Sequence, residues 1–146
     1  MKILFMCVAN SARSQLAEGL AKKIFGPSVE VQSAGSMPKF VNPLAIESLK
    51  EVGIDISRNS SKLVDELSPK FLVDLDYVIT LCAEEVCPIL TSKSAKKLHW
   101  PFPDPAGHNE SHEEGLNRFR RTREDIKNKL EEFAMHTLKI EPHQIG

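Results

Sequence analysis

KILFMCVANSARSQLAEGLAKKIF, Lys2 to Phe25, holds the key to the fold. Its first part, Lys2 to Val8, is a short apolar run with one polar end, the pattern of a buried parallel strand. From Ser14 to Phe25 the period changes: Leu16, Ala17, Leu20, Ala21 and Ile24 share one helical face, and Gln15, Glu18, Lys22 and Lys23 share the other. Gly26 and Pro27 stop the helix. Between strand and helix lies a tight turn, Cys7-Val8-Ala9-Asn10-Ser11-Ala12-Arg13-Ser14, in which a cysteine and an arginine bracket five small or polar residues.

The strand–helix alternation continues outward. Val29–Gly35 reads as a second strand and Asn42–Val52 as a second helix ended by Gly53, while Ile54–Lys70 reads as loop and short helix. Asp76–Cys82 is a clear β run, Lys97–Trp100 a weak fourth strand, and PFPDPAGHNES a loop by its proline and glycine. A long amphipathic helix from about Glu113 to Phe133 carries Leu116, Phe119, Ile126, Leu130 and Phe133 as its apolar stripe, and the tail from about residue 135 is expected to be frayed and peripheral. This alternation implies a parallel sheet between two layers of helices, a three-layer α/β sandwich with four strands in one domain, residues 1–146. Such sheets place their sites at the C-terminal ends of strands, where Cys7, Cys82 and, after the fourth strand, Asp104 fall.

Composition narrows the function. With 146 residues, 41% apolar and 27% charged, the chain is sized for one core and too apolar for disorder. Its 19 Lys plus Arg balance 20 Asp plus Glu, so no general positive field draws it to nucleic acid or an anionic membrane, and any anion must be held locally. No run of about 18 apolar residues occurs and MKILFMCVANS turns polar early, which makes the cytoplasm the expected compartment. Three cysteines, an odd number, do not suit a secreted disulfide framework.

The Cys7–Ser14 turn is built for an oxyanion. A tight loop feeding a helix N-terminus aims several backbone N–H groups at one point, and the helix dipole adds roughly half a positive charge. Val8, Ala9, Asn10, Ser11, Ala12, Arg13 and Ser14 are the candidate oxyanion-binding residues. Arg13 can bridge two anion oxygens as a bidentate fork, and the same positive surroundings favour the thiolate of Cys7; Ser11 or Ser14 can also donate to its sulfur.

This turn resembles the signature of the low-molecular-weight protein tyrosine phosphatases and of the arsenate reductases built on the same fold. The resemblance extends through SQLAEG after the turn, SAG at 33–35, NP at 42–43, ITLC at 79–82 and HWPFPDPAG to the closing helix. It implies a phosphatase-like fold in which Cys7 attacks a bound oxyanion and Arg13 stabilises it. Cys82 and Cys87, in TLCAEEVCP, separate the two chemistries. A phosphatase has no need of two further thiols, whereas reducing arsenate takes the two electrons that two thiols release on forming a disulfide.

The thioredoxin-using arsenate reductases are the closer resemblance, down to CPIL and HWPFPDPAG. It implies that Cys82 attacks Cys7 and releases arsenite, and that Cys87 then attacks Cys82, leaving a Cys82–Cys87 disulfide for thioredoxin. Glutathione with glutaredoxin is the alternative donor, and no tightly bound cofactor or metal is expected. This chain departs from that pattern in the spacing of its second and third cysteines. Relatives usually have six or more residues there, against the four Ala83, Glu84, Glu85 and Val86, which would set Cys87 about 140° from Cys82 on an ideal helix. Ala12 also stands where many relatives carry another cysteine.

Asp104 is the candidate general acid, since a leaving oxide needs a proton. Ala106 and Gly107 follow Asp104-Pro105 where related phosphatases often have an aromatic residue, which favours a small inorganic substrate such as arsenate over an aryl phosphate. Asn10, Glu18 and Ser33 match residues that surround a loop-stabilising potassium ion in some relatives, and Lys62 falls about where those supply a carboxylate. Its ammonium can replace the ion, so weak potassium dependence is expected. A phosphatase and a noncatalytic oxyanion sensor are the competing functions; a monomer is expected from size and likeness.

Three further features carry simpler readings. His108 and His112 lie in or beside a Gly- and Ser-rich loop and read as solvent-facing. Arg118, Arg120, Arg121 and Arg123 read as a solvated helix face with intrahelical pairs. Trp100 reads as packing for the catalytic loop.

Overall fold

A computed structural model describes residues 1–83, 90, 92, 94–108 and 110–145. Four strands form one all-parallel sheet: β1 (Lys2–Cys7), β2 (Glu30–Gly35), β3 (Tyr77–Thr80) and β4 (Lys96–His99), in the spatial order β2-β1-β3-β4. The register pairs Cys7 with Gly35 and Met6 with Thr80, so the C-terminal ends of β2, β1 and β3 finish within one residue of level. Leu81 N–H extends the pairing by bonding to the Met6 carbonyl. Cys82 thus follows the ladder and is buried. The strand order reverses beside β1, and in open parallel sheets such a reversal leaves a crevice at the strand ends.

The helices are α1 (Arg13–Phe25), α2 (Pro43–Lys50), the four-residue α3 (Pro69–Leu72) and α4 (His112–Phe133), with a 3-10 turn at Val64–Glu66. Alternation along the strands sorts the core into two layers. Ile3, Phe5, Tyr77 and Ile79 point to one face and pack with Leu16, Leu20, Ile24, Phe119, Ile126 and Leu130 of α1 and α4. Leu4, Met6 and Val78 point to the other, under Leu67, Phe71 and Leu75. This is the three-layer α/β sandwich with the four-stranded parallel sheet expected from the sequence.

Several boundaries shift for local reasons. Asn42 is the N-cap of α2, its side chain accepting from Leu44 N at 2.9 Å ahead of Pro43 at the first helical position. The fourth strand begins at Lys96, where Lys96 N–H bonds to the Asp76 carbonyl. The tail departs from the expected fraying. The Ala134–Leu138 turn continues α4, His143 N–H bonds to the Ile24 carbonyl, and Ile140 and Ile145 pack on the core. The signal is missing from the periodicity because the tail follows the end of α1 instead of forming a helix face of its own.

The arginines of α4 make some of the expected intrahelical pairs, Arg120 with Glu113 and Arg123 with Glu124, and also reach beyond their own helix. Arg120 grips Glu51, just beyond α2, and Arg123 Nη1 donates to Glu51 Oε1 at 3.0 Å and to the Ser48 carbonyl at 2.7 Å. Only the tertiary fold brings these partners together. The hydrogen bond from Arg120 holds the Glu51 carboxyl below its ordinary value. A carboxylate lowered on folding stabilises the folded state above its unfolded value and loses that stabilisation as pH falls through its folded one. Glu51→Gln is therefore expected to lower the thermal midpoint slightly at pH 7, with the difference from wild type vanishing under strongly acidic conditions in a pH series of melts.

Candidate active site

The β1–α1 turn is held along one side by the segment that follows β2. Met37, Lys39 and Asn42 N–H groups donate to the carbonyls of Val8, Ala9 and Ser11 at 2.9, 3.1 and 3.0 Å. Across each trans peptide the N–H points opposite to the carbonyl, so the amides of Ala9, Asn10 and Ala12 turn away from the 36–42 segment. The helix that follows has Ala12 as N-cap with no side-chain cap and no acidic residue in its first turn. Its N-terminal dipole is thus unopposed by a local carboxylate, as an anion site requires.

Asn10 holds the turn from within. It is fully buried with φ 48°, a left-handed conformation that asparagine adopts more readily than most residues. Its Nδ2 donates to Ser14 Oγ at 2.8 Å and Ser33 Oγ at 3.0 Å, and its Oδ1 accepts from Lys62 N at 3.1 Å and Gln15 Nε2 at 3.2 Å. Ser33 Oγ donates in turn to Glu18 Oε1 at 2.5 Å, and Lys62 Nζ lies 3.9 Å from the same carboxylate oxygen. The four residues expected to steady the loop, Asn10, Glu18, Ser33 and Lys62, are therefore one connected group. Glu18 is buried, and Lys22 Nζ at 2.9 Å is a second cation beside it.

Cys7 closes β1 as a buried free thiol, its Sγ 2.9 Å from Ser14 Oγ. Ser14 Oγ already accepts from Asn10, which leaves its own proton available to the sulfur. Of the two serines weighed from the sequence, Ser14 is the one in contact. Arg13 is 4% exposed; Nη1 donates to the Phe102 carbonyl at 2.9 Å, and Nη2 stands 3.8 Å from Asp104 Oδ2. The guanidinium so links the turn to the loop bearing Asp104, whose side chain is half exposed. Trp100 N–H and Phe102 N–H anchor the start of that loop on the carbonyls of Thr80 and Leu81.

Cys87 lies outside the described residues, and Cys82 is buried just beyond the end of β3. Among the described residues no cluster of His, Cys, Asp or Glu is arranged to hold a metal ion. His112 opens α4 and bonds to Glu47 Oε2 at 3.0 Å, away from His108, whose Nε2 contacts the Asp104 carbonyl.

Residues 2–144 match the family model described as low molecular weight phosphotyrosine protein phosphatase. The chain belongs to that family. It is 48% identical over 133 residues to arsenate reductase 2 of Staphylococcus epidermidis, spanning 90% of this chain and 94% of that protein. A solved arsenate reductase in the phosphate binding state superposes with a TM-score of 0.72 at 32% identity, covering 90% of this chain and 95% of that one. The thioredoxin-dependent arsenate reductase Cg_ArsC1' of Corynebacterium glutamicum gives 0.67 at 33% identity, covering 90% of this chain and 59% of that one.

Within this phosphatase family fold, sequence reasoning missed the supports that reach the turn from afar. Ser61 Oγ donates to the Asn10 carbonyl at 2.5 Å, and Asn59 Nδ2 donates to Gln15 Oε1 at 3.1 Å and Glu18 Oε2 at 3.3 Å. Gly35 had a signal in the SAG triplet. A Cβ there would lie 2.5 Å from the Val8 carbonyl oxygen, 2.9 Å from Asn10 N and 3.0 Å from the Cys7 carbonyl oxygen. Because all three obstacles are backbone, Gly35→Ala is expected to displace the turn and destabilise the fold by about 1–3 kcal/mol in denaturant titrations.

Proposed function

We propose that this protein reduces arsenate to arsenite, with Cys7 as nucleophile, Arg13 as the oxyanion's charge partner and Asp104 as general acid. The observation that carries the reading is the Cys7–Ser14 turn with Arg13 reaching Asp104, in a chain nearly half identical to arsenate reductases. Val8, Ala9, Asn10, Ser11, Ala12, Arg13 and Ser14 hold the arsenate. Cys7 thiolate attacks arsenic and displaces a hydroxyl group of the bound arsenate, which takes a proton from Asp104 and leaves as water. Cys82 thiolate then attacks Cys7 Sγ; the sulfur–arsenic bonding pair passes to arsenic, arsenite departs, and a Cys7–Cys82 disulfide remains. Cys87 attacks Cys82, frees Cys7 and leaves a Cys82–Cys87 disulfide.

A dithiol donor must reduce that disulfide, and thioredoxin is the donor we assign. The resemblance of the cysteine pattern and the likeness to a thioredoxin-dependent arsenate reductase support it. Glutathione with glutaredoxin is the alternative. The working unit is a single-domain cytoplasmic monomer without a tightly bound cofactor; among the described residues no helix is long and apolar enough to cross a membrane.

Arsenite formation from arsenate tests the scheme, with thioredoxin, thioredoxin reductase and NADPH in one assay and glutathione with glutaredoxin in another. Turnover in the first is expected. Cys7→Ser and Arg13→Ala abolish turnover, and Cys87→Ser permits at most one; repeated rapid turnover by Cys87→Ser with thioredoxin would sink the relay. Aryl phosphate hydrolysis without arsenite in either assay would assign a phosphatase instead.

The ammonium of Lys62 takes the place of a loop-stabilising potassium ion beside Glu18. Rates in potassium and sodium buffers of equal ionic strength are therefore expected to differ only weakly, and a strong potassium requirement would count against this role of Lys62.

A further inference from the structure

The Asp104 loop is fastened in an unusual way. Pro103 and Pro105 flank the acid, fixing φ on both sides and supplying no N–H. Asp104 Oδ1 accepts from Ala106 N at 3.0 Å, a turn of the side chain onto its own backbone. Gly107 has φ +79°, and a Cβ there would meet nothing within 4 Å, so glycine serves the backbone reversal and not the space. That reversal brings the His108 ring back, and its Nε2 lies 3.1 Å from the Asp104 main-chain oxygen. A carbonyl oxygen can only accept, so Nε2 is the donor and carries a proton.

We propose that His108 is a positioning residue for the general acid: its Nε2–H tethers the Asp104 carbonyl and fixes the direction in which the carboxyl faces Arg13 and the bound oxyanion. This deepens the proposed function and rests on Asp104 being the acid. Among the described residues the carboxyl has one further restraint from outside the loop, Arg13 at 3.8 Å, too long for a direct hydrogen bond. Arg13 must also serve the anion, so the tether from His108 sets the loop before substrate arrives. His108 is exposed, and its replacement leaves the core untouched.

The test compares wild type, His108→Ala, His108→Gln, Asp104→Asn and the double variant His108→Ala/Asp104→Asn. Pre-reduced protein is mixed with arsenate in single-turnover reactions, and arsenite release is followed over a range of arsenate concentrations. His108→Ala is expected to lower the saturating rate about tenfold while the half-saturating arsenate concentration barely moves, the signature of a misplaced group. Glutamine offers an amide N–H at similar reach and is expected to restore most of the rate. Asp104→Asn lowers the rate about a hundredfold, and adding His108→Ala to it costs nothing more.

A wild-type rate in His108→Ala, no rescue by glutamine, or a full further loss in the double variant would overturn the positioning role. A wild-type rate in Asp104→Asn would overturn the acid assignment beneath it. Hydrolysis of an aryl phosphate by the same proteins follows the same ranking, because its leaving group also needs the proton. The His108 comparison is thereby readable even where no arsenite forms.

Discussion

Asn10 makes every hydrogen bond its amide allows, and the anion turn takes its shape from that fact. Its two amide hydrogens go to Ser14 and Ser33 and its oxygen receives Lys62 and Gln15, all without solvent. A buried polar group left unsatisfied costs about 1–3 kcal/mol, so the network favours one geometry over its neighbours. Its left-handed backbone is the local strain that this satisfaction offsets. Through Ser14 the same network reaches the sulfur of Cys7, which ties the order of the loop to the state of the nucleophile.

Charge is arranged in two tiers around this group. Beneath the turn, the buried carboxylate of Glu18 is met by Lys22, Lys62, Ser33 and Asn59, as a buried charge must be. At the mouth, Arg13 is buried on one side and opens toward a half-exposed acid on the other. The lower tier fixes geometry and the upper supplies the charge an oxyanion needs. Neither requires a net positive protein, which agrees with the near balance of charged residues.

Legibility in the sequence followed locality. The strand, turn and helix of Lys2–Phe25 declare themselves because apolar period, small residues and bracketing Cys7 and Arg13 all lie within one short stretch. Asn10, Glu18, Ser33 and Lys62 were visible only through family likeness, since nothing local joins residues that the sheet brings together. Gln15, Asn59 and Ser61 gave no sign: each is an ordinary polar residue until the 59–62 segment closes over the turn. The arginines of α4 show the same limit, for their spacing suggests the intrahelical pairs they make but not their reach to Glu51 across the helix pair. The tail defeated periodicity because it lies along another helix as single contacts.

One edge of the sheet is β4, four residues long, with Lys96 and Lys97 exposed on it. An open edge offers unpaired backbone groups to any passing strand, and lysines are among the devices that discourage that pairing. A second copy docking there would bring like charges together and find only a short ladder to bond. The sheet can therefore end at β4 without growing, and the protein gains resistance to edge-to-edge aggregation from the same weak strand that its sequence barely announces.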